Sequence, residues 1–218
     1  MRKNHTLPVE ENCRLCDTLS PIFYTSKKKR FFQCPNCKGV FASQHFLPND
    51  ETEINRYQAH NNDVTDPRYR EFVSPITSSI FKDFKSTDKG LDFGSGTGPV
   101  ITTVLRENNY DVETYDPYFD NRPEVLTHQY QYIASCEVIE HFHDPFKEFK
   151  NLKSLLLPNG KLYLMTDPFR KDIDFQNWYY KNDPTHVFLY HNDSFQWIKE
   201  HLGFEKLEIK KRLIIYSV

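Results

Sequence analysis

A glycine-rich turn constrains the fold of this chain more than any other feature of its sequence. Residues 91–98 read LDFGSGTG, in which a short apolar run leads directly into three glycines at alternate positions. The apolar run predicts a buried strand, and residues 99–105 predict the helix that follows it. Glycines at such a junction allow a tight turn and the close approach of a ligand to the backbone. The segment therefore predicts an α/β unit with a ligand-binding loop between strand and helix.

An acidic residue at the end of the next strand-like run extends this pattern. Asp116 lies 18 residues after Gly98, at a place where a carboxylate can accept both hydroxyls of a ribose. A nicotinamide site expects the spacing G-x-G-x-x-G, with a helix N-terminus facing a pyrophosphate. Here the third glycine comes one residue early, and the carboxylate of Asp92 stands two residues before the first. The pattern favours S-adenosylmethionine, whose ammonium and sulfonium groups suit a nearby carboxylate.

Further motifs, in matching order and spacing, resemble those of a known family. Residues 92–98 resemble motif I of the class I S-adenosylmethionine-dependent methyltransferases, and residues 132–141, YIASCEVIEH, resemble the fourth-strand motif of the ubiquinone-biosynthesis-type members. Residues 155–164 and 203–218 resemble the family's fifth-strand region and closing hairpin. The resemblance covers residues 88–218. It implies an α/β fold with a Rossmann-like, seven-stranded sheet, S-adenosyl-L-methionine as cofactor and S-adenosyl-L-homocysteine as product.

Three positions depart from the family's pattern. Gln131 stands where these enzymes often begin the fourth strand with Asp, and Asn159 replaces the first glycine of the turn before the fifth strand. The third strand has residues 125–127 as its only candidate, and no acidic residue marks the adenine site. We therefore assign no adenine contacts.

The resemblance also implies where the cofactor binds. The backbone of the glycine loop is expected to face the methionine part, with Asp92 near its ammonium group, directly or through water. Asp116 is expected to hold the ribose hydroxyls, and the carboxyl end of the fourth strand is expected beside the transferable methyl group. The cofactor-binding residues predicted in this way are Asp92, Phe93, Gly94, Ser95, Gly96, Gly98, Tyr115, Asp116, Pro117, Ser135, Cys136 and Glu137.

Candidates for acid–base chemistry lie beyond the fourth and fifth strands. Methyl transfer from a sulfonium depends mainly on positioning, and a general base is needed only for a weakly acidic hydroxyl or amine. The predicted catalytic residues are His186, His141 and Glu137. His186 follows four aromatic residues, Phe175, Trp178, Tyr179 and Tyr180, in a region where this fold usually carries a substrate-covering insertion. The structural alternatives are an aromatic mini-core that hydrogen-bonds His186, and a salt bridge that engages Glu137.

Four of the five cysteines form two C-x2-C pairs near the N-terminus. Cys13 and Cys16 are separated from Cys34 and Cys37 by 17 residues, a spacing typical of zinc sites. Short strand-like runs around them predict a zinc ribbon, and four thiolates close the coordination shell, so the expected Zn²⁺ is structural. The alternatives are two disulfides, for which the N-terminus shows no secretion signal, or a redox pair, which normally occurs singly at a helix start.

Charge and length complete the domain assignment. The 218 residues carry a net charge of −2, with +4 in residues 1–50 and −6 in the remainder. We expect a zinc ribbon over residues 1–47, a helical connector over 48–87 and a methyltransferase domain over 88–218. Long apolar runs are absent, so we expect a cytoplasmic protein without a membrane partner. The basic run 27–30 fits either phosphate contact or a solvated hairpin tip.

Three functions fit these features. The first is methylation of a small-molecule or carrier-bound biosynthetic acceptor, with oxygen favoured. The second is an RNA base methyltransferase whose zinc ribbon contacts RNA; the basic head supports it, whereas the acidic body opposes it. The third is a non-catalytic interaction protein that binds the cofactor without turnover. The intact glycine loop and Asp116 favour an enzyme.

Overall fold

A computed structural model describes residues 8–26, 29–59 and 62–218. Its strands are β1 (Glu10–Asn12), β2 (Leu19–Thr25), β3 (Arg30–Gln33), β4 (Val40–Ala42), β5 (Gly90–Phe93), β6 (Val112–Tyr115), β7 (Tyr130–Cys136), β8 (Leu156–Met165), β9 (Phe188–Leu189), β10 (Lys206–Lys210) and β11 (Leu213–Ser217). Its α-helices are α1 (Asp50–Gln58), α2 (Pro67–Asp83), α3 (Val100–Glu107), α4 (Pro145–Ser154) and α5 (Asn192–Leu202). Within these ranges, no helix is long and apolar enough to cross a bilayer.

The larger sheet has the strand order β10-β11-β8-β7-β5-β6. Strands β6, β5, β7 and β8 run parallel, and β11 runs antiparallel to both β8 and β10. Helix α3 connects β5 to β6, and α4 connects β7 to β8, as parallel neighbours require a crossover. Apolar side chains on both faces are buried, such as Ile133 on one face and Tyr163 on the other, each at 0% exposure. The predicted Rossmann-like α/β class is confirmed.

The predicted third strand is absent from the described part of this sheet, which has six strands rather than seven. Residues 125–127 belong to a 3-10 helix, Pro123–Thr127. Pro123 cannot donate a hydrogen bond to a strand ladder, and its fixed φ favours the first turn of a helix. Val125 is buried in the main core, and its carbonyl accepts from the Tyr130 hydroxyl at 2.7 Å. The segment covers the core without extending the sheet beyond β6.

Both sequence departures near β7 and β8 have local structural roles. Asn159 has φ +65°, a left-handed conformation that asparagine tolerates better than most residues. The Gln131 side chain accepts a hydrogen bond from the Lys89 backbone N–H at 2.8 Å. Neither residue lies at the carboxyl ends of the parallel strands, where ligands bind in this class of fold.

The smaller sheet has the order β1-β2-β3-β4-β9. Strands β2, β3 and β4 coincide with the strand-like runs predicted around the cysteines. Strand β9 comes from a distant part of the chain, and it pairs Phe188 with Phe41 and Leu189 with Val40. The N-terminal sheet is thereby hydrogen-bonded to the segment that follows His186.

Helix α2 covers one face of the larger sheet. Val73, Ile76 and Ile80 are fully buried and pack in one cluster with α3. Phe72, the residue before Val73, is 36% exposed. Val73 occupies the inward position because the spacing 73, 76, 80 follows the helical repeat of 3.6 residues more closely than four-residue steps do.

Candidate functional site

A cavity of about 1060 Å³ lies at the carboxyl ends of β5, β6 and β7. Ligand sites of open α/β sheets occur at this edge, where the strand order changes direction. Most residues predicted from the sequence lie on its wall. They are Phe93, Gly94, Ser95, Gly96, Tyr115, Asp116, Pro117, Cys136, Glu137, His141 and His186.

The glycine loop forms one wall of the cavity and is held by main-chain contacts. Gly94 and Gly96 have φ of +78° and +63°, which glycine adopts without a steric penalty. A Cβ added to Gly94 would lie 2.4 Å from a methyl of Val138. The Gly94 N–H donates to the Tyr115 carbonyl at 2.8 Å. The loop therefore leaves no room for a side chain at this turn.

Asp116 ties the loop to the end of β6. One carboxylate oxygen accepts from the Gly96 N–H at 3.0 Å, and the other accepts from the N–H groups of Tyr118 and Phe119 at 2.9 and 3.1 Å. Each carboxylate oxygen has two lone pairs, so the oxygen that accepts from Gly96 can take one more hydrogen bond, whereas the other oxygen already accepts two. A hydroxyl group, such as one on a ribose, suits the remaining lone pair.

Three predicted cofactor residues lie behind the cavity wall. Asp92 accepts from the Thr102 hydroxyl and N–H at 2.8 and 3.2 Å, and burial raises the pKa of this carboxyl to about 6. Gly98 faces Asn62, whose carbonyl oxygen would lie 1.8 Å from an added Cβ. Ser135 is fully buried in β7. Side chains alternate along a strand, which turns Asp92 and Ser135 towards the packed faces of the sheet.

Glu137 lies on the cavity wall and also forms an ion pair. It follows β7 with φ +54°, an uncommon conformation for a residue with a side chain. One Arg212 nitrogen lies 2.7 Å from both of its carboxylate oxygens, and the Tyr180 hydroxyl lies 3.2 Å from one of them. Burial, together with repulsion from Glu140, raises the pKa of Glu137 above its ordinary value. The salt bridge expected as an alternative is present, and the carboxylate still borders the cavity.

Glu140, His141 and His186 form a cluster next to Glu137, called here the Glu–His cluster. Glu140 is fully buried, accepts from the Thr166 hydroxyl at 3.0 Å and also accepts from the Tyr180 hydroxyl. His186 Nε2 lies 4.0 Å from a Glu140 oxygen. The two imidazole rings meet edge to face, with centroids 4.9 Å apart.

Backbone carbonyls orient both imidazoles. His141 Nδ1 lies 2.9 Å from the Thr185 carbonyl oxygen, and His186 Nδ1 lies 2.7 Å from that of Tyr180. Burial lowers the pKa of both histidines, and for His186, which is also close to His141, the value falls to about 3. Both rings are therefore neutral near pH 7. Since a carbonyl can only accept, each Nδ1 carries the ring proton and each Nε2 has a free lone pair.

The aromatic residues before His186 divide into two groups. Tyr179 and Tyr180 border the cavity. Phe175 and Trp178 are buried with Phe31 of β3 in a separate apolar cluster, where the Phe31 and Phe175 ring centroids are 5.3 Å apart. Tyr180 also belongs to this apolar cluster, so it takes part in both the cavity wall and the aromatic mini-core.

Helix α1 contributes cavity residues for which the sequence carries no motif. Glu53, Arg56 and Tyr57 border the cavity, and the Tyr57 ring packs edge to face against His141 with centroids 5.1 Å apart. Arg56 pairs with Asp183 at 2.7 Å. A polar helix of nine residues shows no periodic pattern that marks such a role, so sequence reasoning placed it in a connector.

The four N-terminal cysteines converge in the smaller sheet. Their sulfur atoms all lie within 4.8 Å of one another, with Cys13–Cys37 at 3.7 Å and Cys16–Cys34 at 3.3 Å. A tetrahedral zinc ion with Zn–S bonds of about 2.3 Å separates its sulfur ligands by about 3.8 Å. The four-thiolate set is therefore compatible with a structural zinc ion, and Cys136 lies outside it.

Similarity to known proteins agrees with this geometry. A family profile described as a methyltransferase domain matches residues 66–209, about two thirds of the chain. No protein of curated function matches the chain by sequence.

Several solved structures share the fold at low sequence identity. The 1,6-didemethyltoxoflavin-N1-methyltransferase of Burkholderia thailandensis, with 1,6-didemethyltoxoflavin and S-adenosylhomocysteine bound, superposes with a TM-score of 0.54 at 12% identity, over 90% of this chain and 98% of that one. A SAM-dependent methyltransferase from Archaeoglobus fulgidus gives 0.53 at 16% identity, over 68% and 94%. Human N-acetylserotonin methyltransferase in complex with SAM gives 0.54 at 12% identity, and this chain spans 60% of its length.

The family match and the cavity at the glycine loop support the same conclusion. The profile covers β5 to β10, which include the loop, the end of β7 and the Glu–His cluster. The chain belongs to the methyltransferase-domain family and is an S-adenosylmethionine-dependent methyltransferase.

Proposed function

We propose that this enzyme transfers the methyl group of S-adenosylmethionine to a hydroxyl oxygen of a small-molecule or carrier-bound biosynthetic acceptor. One observation carries the proposal: a single cavity joins the glycine loop and Asp116 on one side to Glu137, His141 and His186 on the other. The first group suits the cofactor, and the second provides hydrogen-bond acceptors for an acceptor hydroxyl.

The size and lining of the cavity support a compact acceptor. Pockets for drug-sized ligands measure about 300–1,000 Å³, so about 1060 Å³ has room for the cofactor and a small second molecule. Tyr57, Tyr69, Phe72 and Tyr179 contribute aromatic surface to this cavity. Aromatic walls stack well against flat acceptors. We therefore favour an acceptor with a planar ring that carries the hydroxyl.

The proposed chemistry is a direct displacement. The acceptor oxygen forms a bond to the methyl carbon while the carbon–sulfur bond breaks. The electron pair of the broken bond stays on sulfur, which becomes neutral. His141 and His186 lie on the same side of the cavity as Glu137, and their rings position the acceptor beside it. Glu137 takes the hydroxyl proton, since a carboxylate with a raised pKa is better matched to proton transfer near neutral pH.

Charge at the cavity favours a small acceptor over RNA. Asp50, Glu53, Asp144 and Glu148 line the cavity and oppose a phosphate backbone. Lys29 donates to the Asp183 and His186 carbonyls at 2.8 and 3.1 Å, so its ammonium group is hydrogen-bonded within the protein. Lys27 and Lys28, from the same basic run, lie outside the described residues. A cytoplasmic location is part of the proposal, because cysteines are kept reduced there and so remain available as thiolate ligands.

The test is a transfer assay with S-adenosylmethionine labelled in its methyl group. Candidate phenols, aliphatic hydroxyls, amines and total cellular RNA are offered separately to the zinc-loaded enzyme, and the labelled atom in the product is identified by mass spectrometry. We expect label on oxygen of a ring-bearing small molecule or its carrier-bound form. Label only on RNA, or only on nitrogen or carbon, contradicts the proposal.

A further inference from the structure

We propose that Glu140, His141 and His186 form a divalent-metal site beside the cofactor cavity. One donor atom from each residue lies within 4.8 Å of the other two. Two imidazole nitrogens and a carboxylate oxygen are an established donor set for Zn²⁺, Fe²⁺ and related first-row ions. Ligand atoms about 2.1 Å from such an ion lie about 3–3.4 Å apart. Side-chain shifts on the order of 1 Å would close the cluster around an ion.

The hydrogen bonds of the two histidines match those of metal ligands. Metal-binding histidines usually donate their other ring N–H to a carbonyl or carboxylate, which fixes the tautomer and aims the free nitrogen. His141 and His186 each do so through Nδ1, towards the carbonyls of Thr185 and Tyr180. The Nε2 of His186 is turned towards Glu140. Two acceptor nitrogens beside the oxygen atoms of a buried carboxyl group leave a place for a cation.

The burial of Glu140 and the absence of a nearby lysine or arginine in the described residues point the same way. Its side chain is 0% exposed, and among the described residues no lysine or arginine nitrogen lies within 4 Å of it. Arg212 makes both of its close carboxylate contacts with Glu137. Buried carboxylates in proteins are normally paired with a cation or coordinate a metal. Thr166 and Tyr180 donate to Glu140 and would hold it in place as a ligand.

Three protein ligands leave at least one coordination position for a non-protein oxygen. His141 and His186 border the cavity, so this position faces the acceptor side. If the proposed oxygen methylation holds, on which this role rests, the ion binds the acceptor hydroxyl and lowers its pKa. The hydroxyl proton then leaves to Glu137, and the metal-bound oxygen forms the bond to the methyl carbon as the bond to sulfur breaks.

The site is tested directly with Mn²⁺, whose free form is counted by electron paramagnetic resonance. Zinc-loaded enzyme saturated with S-adenosylhomocysteine is titrated with Mn²⁺, together with the variants Glu140→Gln, His141→Ala and His186→Ala. His201→Ala, an exposed histidine of α5 outside the cluster, is the matched control. We expect one bound Mn²⁺ per wild-type and control chain, and an affinity at least about tenfold weaker in each cluster variant.

Several outcomes overturn the proposal. Wild-type enzyme that binds S-adenosylhomocysteine but no Mn²⁺, and no second Zn²⁺, has no such site. Mn²⁺ binding that survives all three cluster substitutions places the ion elsewhere. Each variant is first checked for S-adenosylhomocysteine binding, which shows that it is folded. If one variant fails this check, the other two still test the site. Methyl transfer at full rate in Mn²⁺-free, metal-depleted buffer removes the ion's role and leaves the proposed function intact. Absence of methyl transfer to oxygen removes the proposed function and leaves the Mn²⁺ count valid.

Discussion

Arg14, which lies inside the first cysteine pair, donates from Nη2 to the carbonyl oxygen of Val187 at 2.7 Å. Its Nη1 donates to the Ala42 carbonyl at the same distance. Val187 follows His186 directly, and its own N–H donates to the Glu140 carbonyl at 2.9 Å. A residue of the cysteine-rich head thus supports the backbone on which the Glu–His cluster is built. The two sheets meet at the acceptor side of the cavity.

The first prediction concerns this contact. Arg14→Gln removes the guanidinium donors to the Ala42 and Val187 carbonyls, of which Val187 keeps the Ala42 N–H at 2.9 Å, and we expect the free energy of unfolding to fall by about 1–3 kcal/mol. Turnover should fall more than cofactor affinity, because the glycine loop and Asp116 make no contact with Arg14. Denaturant unfolding and calorimetric S-adenosylhomocysteine binding measure the two effects. Arg68→Gln, an exposed arginine of α2 paired only with Asp66, is the control; equal behaviour of the two variants would contradict the prediction.

The second prediction concerns the metal of the head. Wild-type protein and Cys136→Ala should carry the same amount of tightly bound zinc per chain by elemental analysis, and Cys34→Ser should carry one equivalent less. Removal of the zinc with a chelator should lower the melting temperature, because a four-thiolate ion contributes directly to folding. The Ser194 hydroxyl donates to the Cys37 carbonyl at 2.8 Å, so the loss should reach α5 and β9. A zinc-free protein with unchanged melting and turnover would show that the ion has no structural role.

The third prediction concerns Asp116. Asp116→Ala removes the charged acceptor proposed for a ribose hydroxyl, an interaction of about 1.5–3 kcal/mol, so we expect S-adenosylhomocysteine binding to weaken about 10- to 150-fold. Asp116→Asn keeps one oxygen acceptor but places an amide NH2 group opposite backbone N–H donors, so its folding is checked by denaturant unfolding, and we expect a smaller loss of affinity. Isothermal calorimetry measures both. Wild-type affinity in both variants would remove Asp116 from the cofactor site.

The fourth prediction concerns the pH dependence of stability through Asp92. Burial raises the pKa of this carboxyl from 3.8 to about 6 in the folded protein. Between these values the folded state holds more protons than the unfolded state, so ionisation of Asp92 makes the fold less stable as pH rises from about 4 to 6. Asp92→Asn removes this dependence. We expect the stability of the variant relative to wild type to increase over that interval, as measured by denaturant unfolding at several pH values.

The same variant tests the placement of Asp92. Its carboxylate contacts Thr102 rather than the cavity, so Asp92→Asn should change S-adenosylhomocysteine affinity less than Asp116→Ala does. A relative stability that stays flat from pH 4 to 7 would contradict the raised pKa. A loss of affinity as large as that of Asp116→Ala would show that Asp92 contacts the ammonium group after all.

Turns and elements that depend on neighbouring residues could be predicted from the sequence. The direction in which a strand side chain points could not. The sequence placed strand, glycine turn and helix correctly around Gly94, because backbone geometry there depends on the glycines themselves. It did not show that Asp92 and Ser135 face away from the cavity. That direction depends on which face of the strand packs against helices. The missing third strand has a similar origin, since Pro123 favours a helical turn once the preceding chain has left β6.

The sequence by itself determined the cofactor loop, the acidic residue that follows the second strand and the two cysteine pairs, because each is a short motif whose spacing sets its own geometry. Only the tertiary structure decided the acceptor side. There, Arg14, Tyr57, Glu140, His186 and Arg212 come from five separate parts of the chain. Their contacts depend on how two sheets and α1 pack together, and no local pattern of residues records such long-range packing.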